Sequence, residues 1–220
     1  MRRPTVHVAT PVNKRDLHTP ARLMLVCGSL QRRSSNRAAV DVAIDEALAS
    51  GFVVDDFDHL GDVPPFDPDL QDVPPPVVVD WKTRIESSDA VLIAAPEYAG
   101  AIAGAVKNAL DWLVGFGSLY RKPVAVISAG TSGGWFARQT LARTLTWQGA
   151  YVVAELGISA PRTKSDADGR FTDRDTIESI HATARIVLDA ISAPPAELVA
   201  RATALTEALG IDSGHVAPVA

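Results

Sequence analysis

Five short, mostly apolar runs, each followed by a stretch with helical periodicity, constrain this chain more than any other feature. The runs are Leu23 to Cys27, Phe52 to Phe57, Ala90 to Ala95, Pro123 to Ile127 and Tyr151 to Val153. Runs of this kind read as strands covered on both faces rather than half-exposed ones. Between and after them, apolar residues recur at helical spacing: Val40, Ile44, Ala47 and Leu48; Val78, Trp81 and Ile85; Val106, Leu110, Leu113 and Val114; Ala137, Leu141 and Leu145; Ile177, Ile180, Ala184, Val187 and Ile191. Gly51 ends the first of these helices. Strands that alternate with crossover helices pair in parallel, with the helices covering both faces of the sheet. The expectation is an α/β, flavodoxin-like, doubly wound five-stranded parallel sheet of order 2-1-3-4-5. Ligands of such a sheet sit at the carboxyl ends of its strands, beside the point where strand order reverses.

Residues 1–20 follow neither period and read as a flexible N-terminal arm; residues 21–193 form the domain. After Pro194-Pro195, the spacing of Leu198, Ala202, Leu205 and Leu209 predicts a helical appendage in residues 194–220, packed on the domain or on a neighbouring subunit.

Composition removes several functions. Lys and Arg total 21 against 26 Asp and Glu, so the net charge of −5 offers no general attraction to nucleic acid or anionic lipid. The single cysteine, Cys27, cannot close an internal disulfide, and no Cys/His spacing resembles a zinc site, so no metal is expected. No apolar run approaches the roughly 18 to 20 residues of a membrane span. These features are those of a reduced, cytoplasmic protein.

Three segments at the predicted carboxyl edge carry the chemistry. Gly28-Ser29-Leu30-Gln31-Arg32-Arg33-Ser34-Ser35-Asn36 joins the first strand to the first helix. Hydroxyls, amides and guanidinium groups at a helix N-terminus make a phosphate cradle, although capping by Ser34 or Ser35 beside solvated arginines is the competing reading. The loop has neither the Gly-Lys-Ser/Thr ending of a nucleoside triphosphate loop nor G-x-G-x-x-G. After the third strand, a proline-fixed turn presents Glu97 and Tyr98, and small residues from Ala99 to Ala105 leave room for a flat ligand. After the fourth, Ser128 to Gly134 forms a second wall of small residues. Together the three describe a slot.

The segment Gly28 to Asn36, the V-P-P-F-D-P-D-L loop from Val63 to Leu70 and P-E-Y-x-x-x-I-x-G-x-x-K-N-A-L-D-W from Pro96 to Trp112 together resemble the NADPH-dependent FMN reductase family, which includes quinone, azo-dye and chromate reductases. The resemblance runs from about Arg22 to Ile191. It implies FMN as cofactor and NADPH or NADH as hydride donor. Its implied cofactor contacts are Ser29, Ser34, Ser35 and Asn36 on the phosphate, with Gln31 and Arg32 supplying further donors there. Pro96, Glu97, Tyr98 and Ala99 lie beside the ring, and Ser128 and Gly130 at its far edge. No side chain is assigned as catalytic, since the flavin carries the chemistry.

The family's usual arginine is Gln31 here, so Arg32, with Arg33 as understudy, is expected to supply the charge; the family's asparagine after Pro-Glu-Tyr is Ala99. The expected function is a ping-pong NAD(P)H oxidoreductase acting on a quinone, azo compound or free flavin, with an electron carrier or sensor as the alternative. FAD is expected to bind less well, the 58–76 loop being the only spare segment for its AMP. A homodimer or homotetramer is expected, through the aromatic loop of Phe116, Leu119 and Tyr120. Cys27, Trp81 and Trp112 read as core, His181 as surface, and His59 as a residue among scattered carboxylates.

Overall fold

The computed structural model describes residues 20–218; the expected N-terminal arm lies outside them, apart from Pro20. Its strands are β1 (Arg22–Cys27), β2 (Val53–Phe57), β3 (Ala90–Ala94), β4 (Glu97–Tyr98), β5 (Ala101–Ile102), β6 (Pro123–Gly130) and β7 (Tyr151–Ser159). Its helices are α1 (Ser35–Ala49), α2 (Pro76–Ser87), α3 (Gly104–Asp111), α4 (Trp135–Trp147), α5 (Arg174–Ala190) and α6 (Pro195–Ala208). Five strands form one parallel sheet in the order β2-β1-β3-β6-β7, with β4 and β5 set apart as a two-residue hairpin. Counted without that hairpin, this is the 2-1-3-4-5 order expected from the sequence.

The runs in β1, β3 and β6 divide by alternation even though nearly every residue in them is apolar. Met24, Val26, Val91, Ile93, Val124 and Val126 face a layer built from α2, α3 and α4, whereas Leu23, Leu25, Leu92, Ala125 and Ile127 face α1 and α5. Between β6 and β7 the register slips at Val124/Ala125, leaving Val153 as an extra residue that resets the phase of β7. From there β7 continues to Ser159, well past the short strand expected. Glu155 interrupts the apolar run, and its carboxylate pairs with Arg138 of α4, so the strand persists where hydropathy alone ends it.

Two expected core residues lie outside. Leu48 is exposed, and α1 meets the sheet through Ala39, Val40, Ala43 and Ala47 instead, whose small side chains allow close approach. Val114 is exposed because α3 stops at Asp111 and the following turns bury Leu113 but not its neighbour. Leu119 of the aromatic loop is fully buried within this chain, while Tyr120 is exposed. Trp81 and Trp112 are buried, their indole N–H groups donating to Ala109 O and Pro64 O at 2.9 Å each.

The appendage packs on its own domain. Leu198, Ala202 and Ala217 join the α1/α5 layer, Leu209 and Ile211 join the opposite layer, and Tyr151 Oη donates to Ala217 O at 3.2 Å. The segment therefore rounds the β7 edge of the sheet. No helix among the described residues is long and apolar enough to cross a membrane.

Candidate functional site

At the carboxyl ends of β1, β3, β6 and β7 lies an open cleft of about 520 Å³, within the range of small-molecule and cofactor sites. Its phosphate-like end is the turn before α1. Ser34 caps the helix, its Oγ accepting from Arg37 N at 3.0 Å, and Ser29 Oγ accepts from Gln31 N at 3.3 Å. Both hydroxyls keep a hydrogen to donate, and the N–H groups of Ser35 and Asn36, at the first turn of α1, have no intrahelical acceptor. Capping by Ser34 therefore does not use up the donors at this end of the cleft. Gln31 and Arg33 line the cleft, whereas Arg32 is exposed away from it.

The second wall is Pro96, Glu97 and Tyr98. Ala99 and Gly100, with φ of 51° and 73°, form the two-residue turn between β4 and β5 that such hairpins favour. This turn carries Ala99 to the exposed tip and off the cleft lining. The Glu97 carboxylate is turned to α4, where Oε2 accepts from Phe136 N at 2.8 Å and Ala137 N at 3.1 Å. It performs the capping that Gly134, preceding α4, has no side chain to provide.

The third wall is Ala129, Gly130 and Thr131. A Cβ on Gly130 would meet nothing within 4 Å, so the space beside it is open. Ala129 is held by Asn36, whose Oδ1 accepts from Ala129 N at 2.9 Å and whose Nδ2 donates to Ala129 O at 3.1 Å. The resemblance implies Asn36 on the phosphate; its side-chain amide is bonded to β6, which leaves only its backbone N–H, in the first turn of α1, without an intrahelical acceptor. Ser128 lies beneath the lining, 1% exposed, with no partner for its hydroxyl among the described residues. A Cβ at Gly134, whose φ is +60°, would fall on that hydroxyl. Arg138 fastens the same loop, donating from Nε to Gly133 O at 3.1 Å and pairing with Glu155; burial pushes its pKa below the usual guanidinium value.

Sequence reasoning missed the fourth wall, Ala160 to Thr163, because β7 had been ended too early. Arg162 is the consequential residue here. Neither Arg33 nor Arg162 has a hydrogen bond or ion pair with any other described residue, so two guanidinium groups stand free where α1 begins. A phosphate dianion fits this donor set of hydroxyls, helix N–H groups and paired cations, and a flat ring fits walls of Ala, Gly and Pro. Elsewhere, Cys27 Sγ lies under the first loop, 3.6 Å from Ser29 O, and burial pushes its thiol pKa up. His59 sits between Asp58 and Asp62 on the surface, at 3.3 and 3.2 Å. His181 is partly buried, 3.6 Å from Glu46.

The motif segments that seemed separate in the sequence touch in space. Asn108 Oδ1 accepts from Phe66 N at 2.8 Å, and its Nδ2 donates to Pro64 O, also at 2.8 Å, so the K-N-A-L-D-W helix latches the V-P-P-F loop.

Comparison with known proteins agrees with this geometry. The family model of NADPH-dependent FMN reductases matches residues 21–163. An NAD(P)H-dependent FMN reductase of Pseudomonas aeruginosa is 33% identical over 70% of this chain and 86% of its own length. An NAD(P)H:quinone oxidoreductase of Solanum tuberosum is 30% identical over 71% and 86%. Among solved structures, the flavoenzyme FerB, an NAD(P)H:(acceptor) oxidoreductase of Paracoccus denitrificans, aligns with TM-score 0.65 and 31% identity over 78% of this chain and 97% of that one. The chain belongs to the NADPH-dependent FMN reductase family, and as a member it is an oxidoreductase with FMN and NAD(P)H as its cofactors.

Proposed function

We propose that the cleft holds FMN with its phosphate at the α1 N-terminus and its ring between Pro96–Tyr98 and Ala129–Thr131, and that the enzyme reduces quinones by a ping-pong mechanism. The observation that carries this is the pair of free guanidinium groups, Arg33 and Arg162, at the phosphate end of a cleft whose other walls are small and flat. When bound, FMN would take hydride from the nicotinamide nucleotide and return two electrons to the acceptor.

The chain's own residues bind and orient. Ser29, Ser34 and Ser35 donate to the phosphate, and the Asn36–Ala129 and Glu97–α4 contacts fix the walls. No acid or base has to be placed beyond that. The described residues contain one five-stranded parallel sheet, a two-residue hairpin and no second nucleotide-binding domain, so donor and acceptor use the same ring face in turn. Quinone is favoured over an azo compound or free flavin by the quinone oxidoreductases among the relatives, including a 2-hydroxy-1,4-benzoquinone reductase of Burkholderia sp.. We further place the protein in the cytoplasm, where its lone thiol stays reduced, as a homodimer or homotetramer; light scattering tests the assembly.

Steady-state NADPH oxidation with varied benzoquinone should give parallel double-reciprocal lines. Intersecting lines would exclude the shared face, and turnover with no acceptor dependence would exclude the quinone.

A further inference from the structure

A groove of about 320 Å³ continues from the phosphate end of the cleft and shares Arg33, Ser35 and Arg162 with it. Its far side is the turn carrying Asp166, Ala167 and Asp168. This turn is preformed: Asp166 Oδ1 accepts from the N–H groups of Asp168 and Arg170 at 2.9 Å each, and Gly169 N donates to Asp166 O at 3.0 Å. Two cations and two carboxylates therefore line one groove, yet no ion pair joins either arginine to either aspartate. Like the arginines, the Asp168 carboxylate makes no hydrogen bond to another described residue.

Opposite charges held apart across a groove complement a ligand that has anionic and hydroxyl-bearing parts in the same order. Guanidinium groups bracket a phosphate, and carboxylates accept from ribose hydroxyls. We propose that this groove is an adenylate subsite, taking the second phosphate and ribose of FAD when the flavin half occupies the cleft. The inference rests on the flavin reading of the cleft and extends it. It also replaces the expectation that only the 58–76 loop could house the AMP group: the spare room is at the β7–α5 connection. The same adenylate chemistry is present in NAD(P)H, but continuity with the phosphate end of the cleft favours the dinucleotide whose flavin lies there.

The test is fluorescence titration of the flavin-free full chain with FMN and FAD, in the wild type and in Ala167→Trp. Ala167 is exposed, lines only the groove and belongs to no part of the cleft, so a bulky residue there fills the groove without disturbing the fold. FAD should bind wild type within threefold of FMN or tighter, and Ala167→Trp should weaken FAD at least tenfold while FMN is unchanged. FAD binding tenfold weaker than FMN in the wild type, or equal loss of both flavins in the variant, would overturn the subsite. Normal FMN binding in the same experiment shows that the flavin reading survives that failure. If Ala167→Trp instead raises KM for NADPH in the FMN-loaded enzyme and leaves FAD affinity intact, the groove serves the nicotinamide nucleotide and the FAD assignment falls.

Discussion

Asn36 grips Ala129 from both sides, accepting its N–H and donating to its carbonyl, so one side chain at the start of α1 sets the position of the wall at the end of β6. Asn36→Ala leaves two buried backbone groups unpaired at about 1–3 kcal/mol each, so stability should fall by roughly 2–6 kcal/mol. Flavin affinity should fall with it, because the wall loses its tether. Urea unfolding and flavin titration on the same preparation check both; unchanged affinity in a destabilised variant would separate the wall from the cofactor.

The charge on the phosphate is expected to come from Arg33 and Arg162, not from Arg32. A charge-assisted hydrogen bond contributes about 1.5–3 kcal/mol, which predicts a loss of FMN affinity of roughly 10- to 100-fold for Arg33→Ala and for Arg162→Ala. Arg32→Ala should cost less than threefold beyond general screening at matched salt. An Arg32 effect as large as the other two would return that residue to the site.

Ala99 holds a left-handed conformation that costs an L-residue about 1–2 kcal/mol, and the next residue, Gly100, does so without strain. Replacing it with asparagine, which tolerates this region, should stabilise the protein by about 0.5–1 kcal/mol and raise Tm by about 1–4 °C. Calorimetry of Ala99→Asn against wild type measures this directly. A lowered Tm would mean that the Ala99 methyl makes a contact that outweighs the turn strain.

Burial raises the Cys27 thiol above its ordinary value of 9.0, so the folded protein keeps its proton at pH values where the unfolded chain has lost it. Stability from this group is therefore intact below about pH 9 and declines as pH rises through and beyond that value. At pH 8 a disulfide reagent should react with the native protein at least tenfold more slowly than with the urea-unfolded chain. Equal rates would show that the thiol is open to solvent.

The strand order and both layers were legible because apolar runs and helical stripes report burial directly. Leu48 and Val114 misled because a helix can meet a sheet through alanines, and because α3 stops three residues before its stripe ends; neither outcome is encoded in hydropathy. At the site, Ser29, Ser34, Glu97 and Gly130 follow from loop position. Arg162 did not, since its loop is placed only by the length of β7, which depends on the distant partner of Glu155. The turning of Glu97 toward α4 was equally hidden, for it answers a missing cap that becomes visible only once Gly134 and Phe136 are positioned in space.

The segment that rounds the β7 edge has a consequence for the order in which the chain is made. All five strands of the sheet leave the ribosome before Leu209, Ile211 and Ala217, yet these residues complete the two opposite layers. The nascent domain thus holds a bare edge strand and two unfinished layers until translation is well past β7, the interval in which an unpaired edge invites intermolecular pairing. A pause in synthesis before residue 217 has cleared the ribosome would lengthen that exposure, whereas one after its emergence would not.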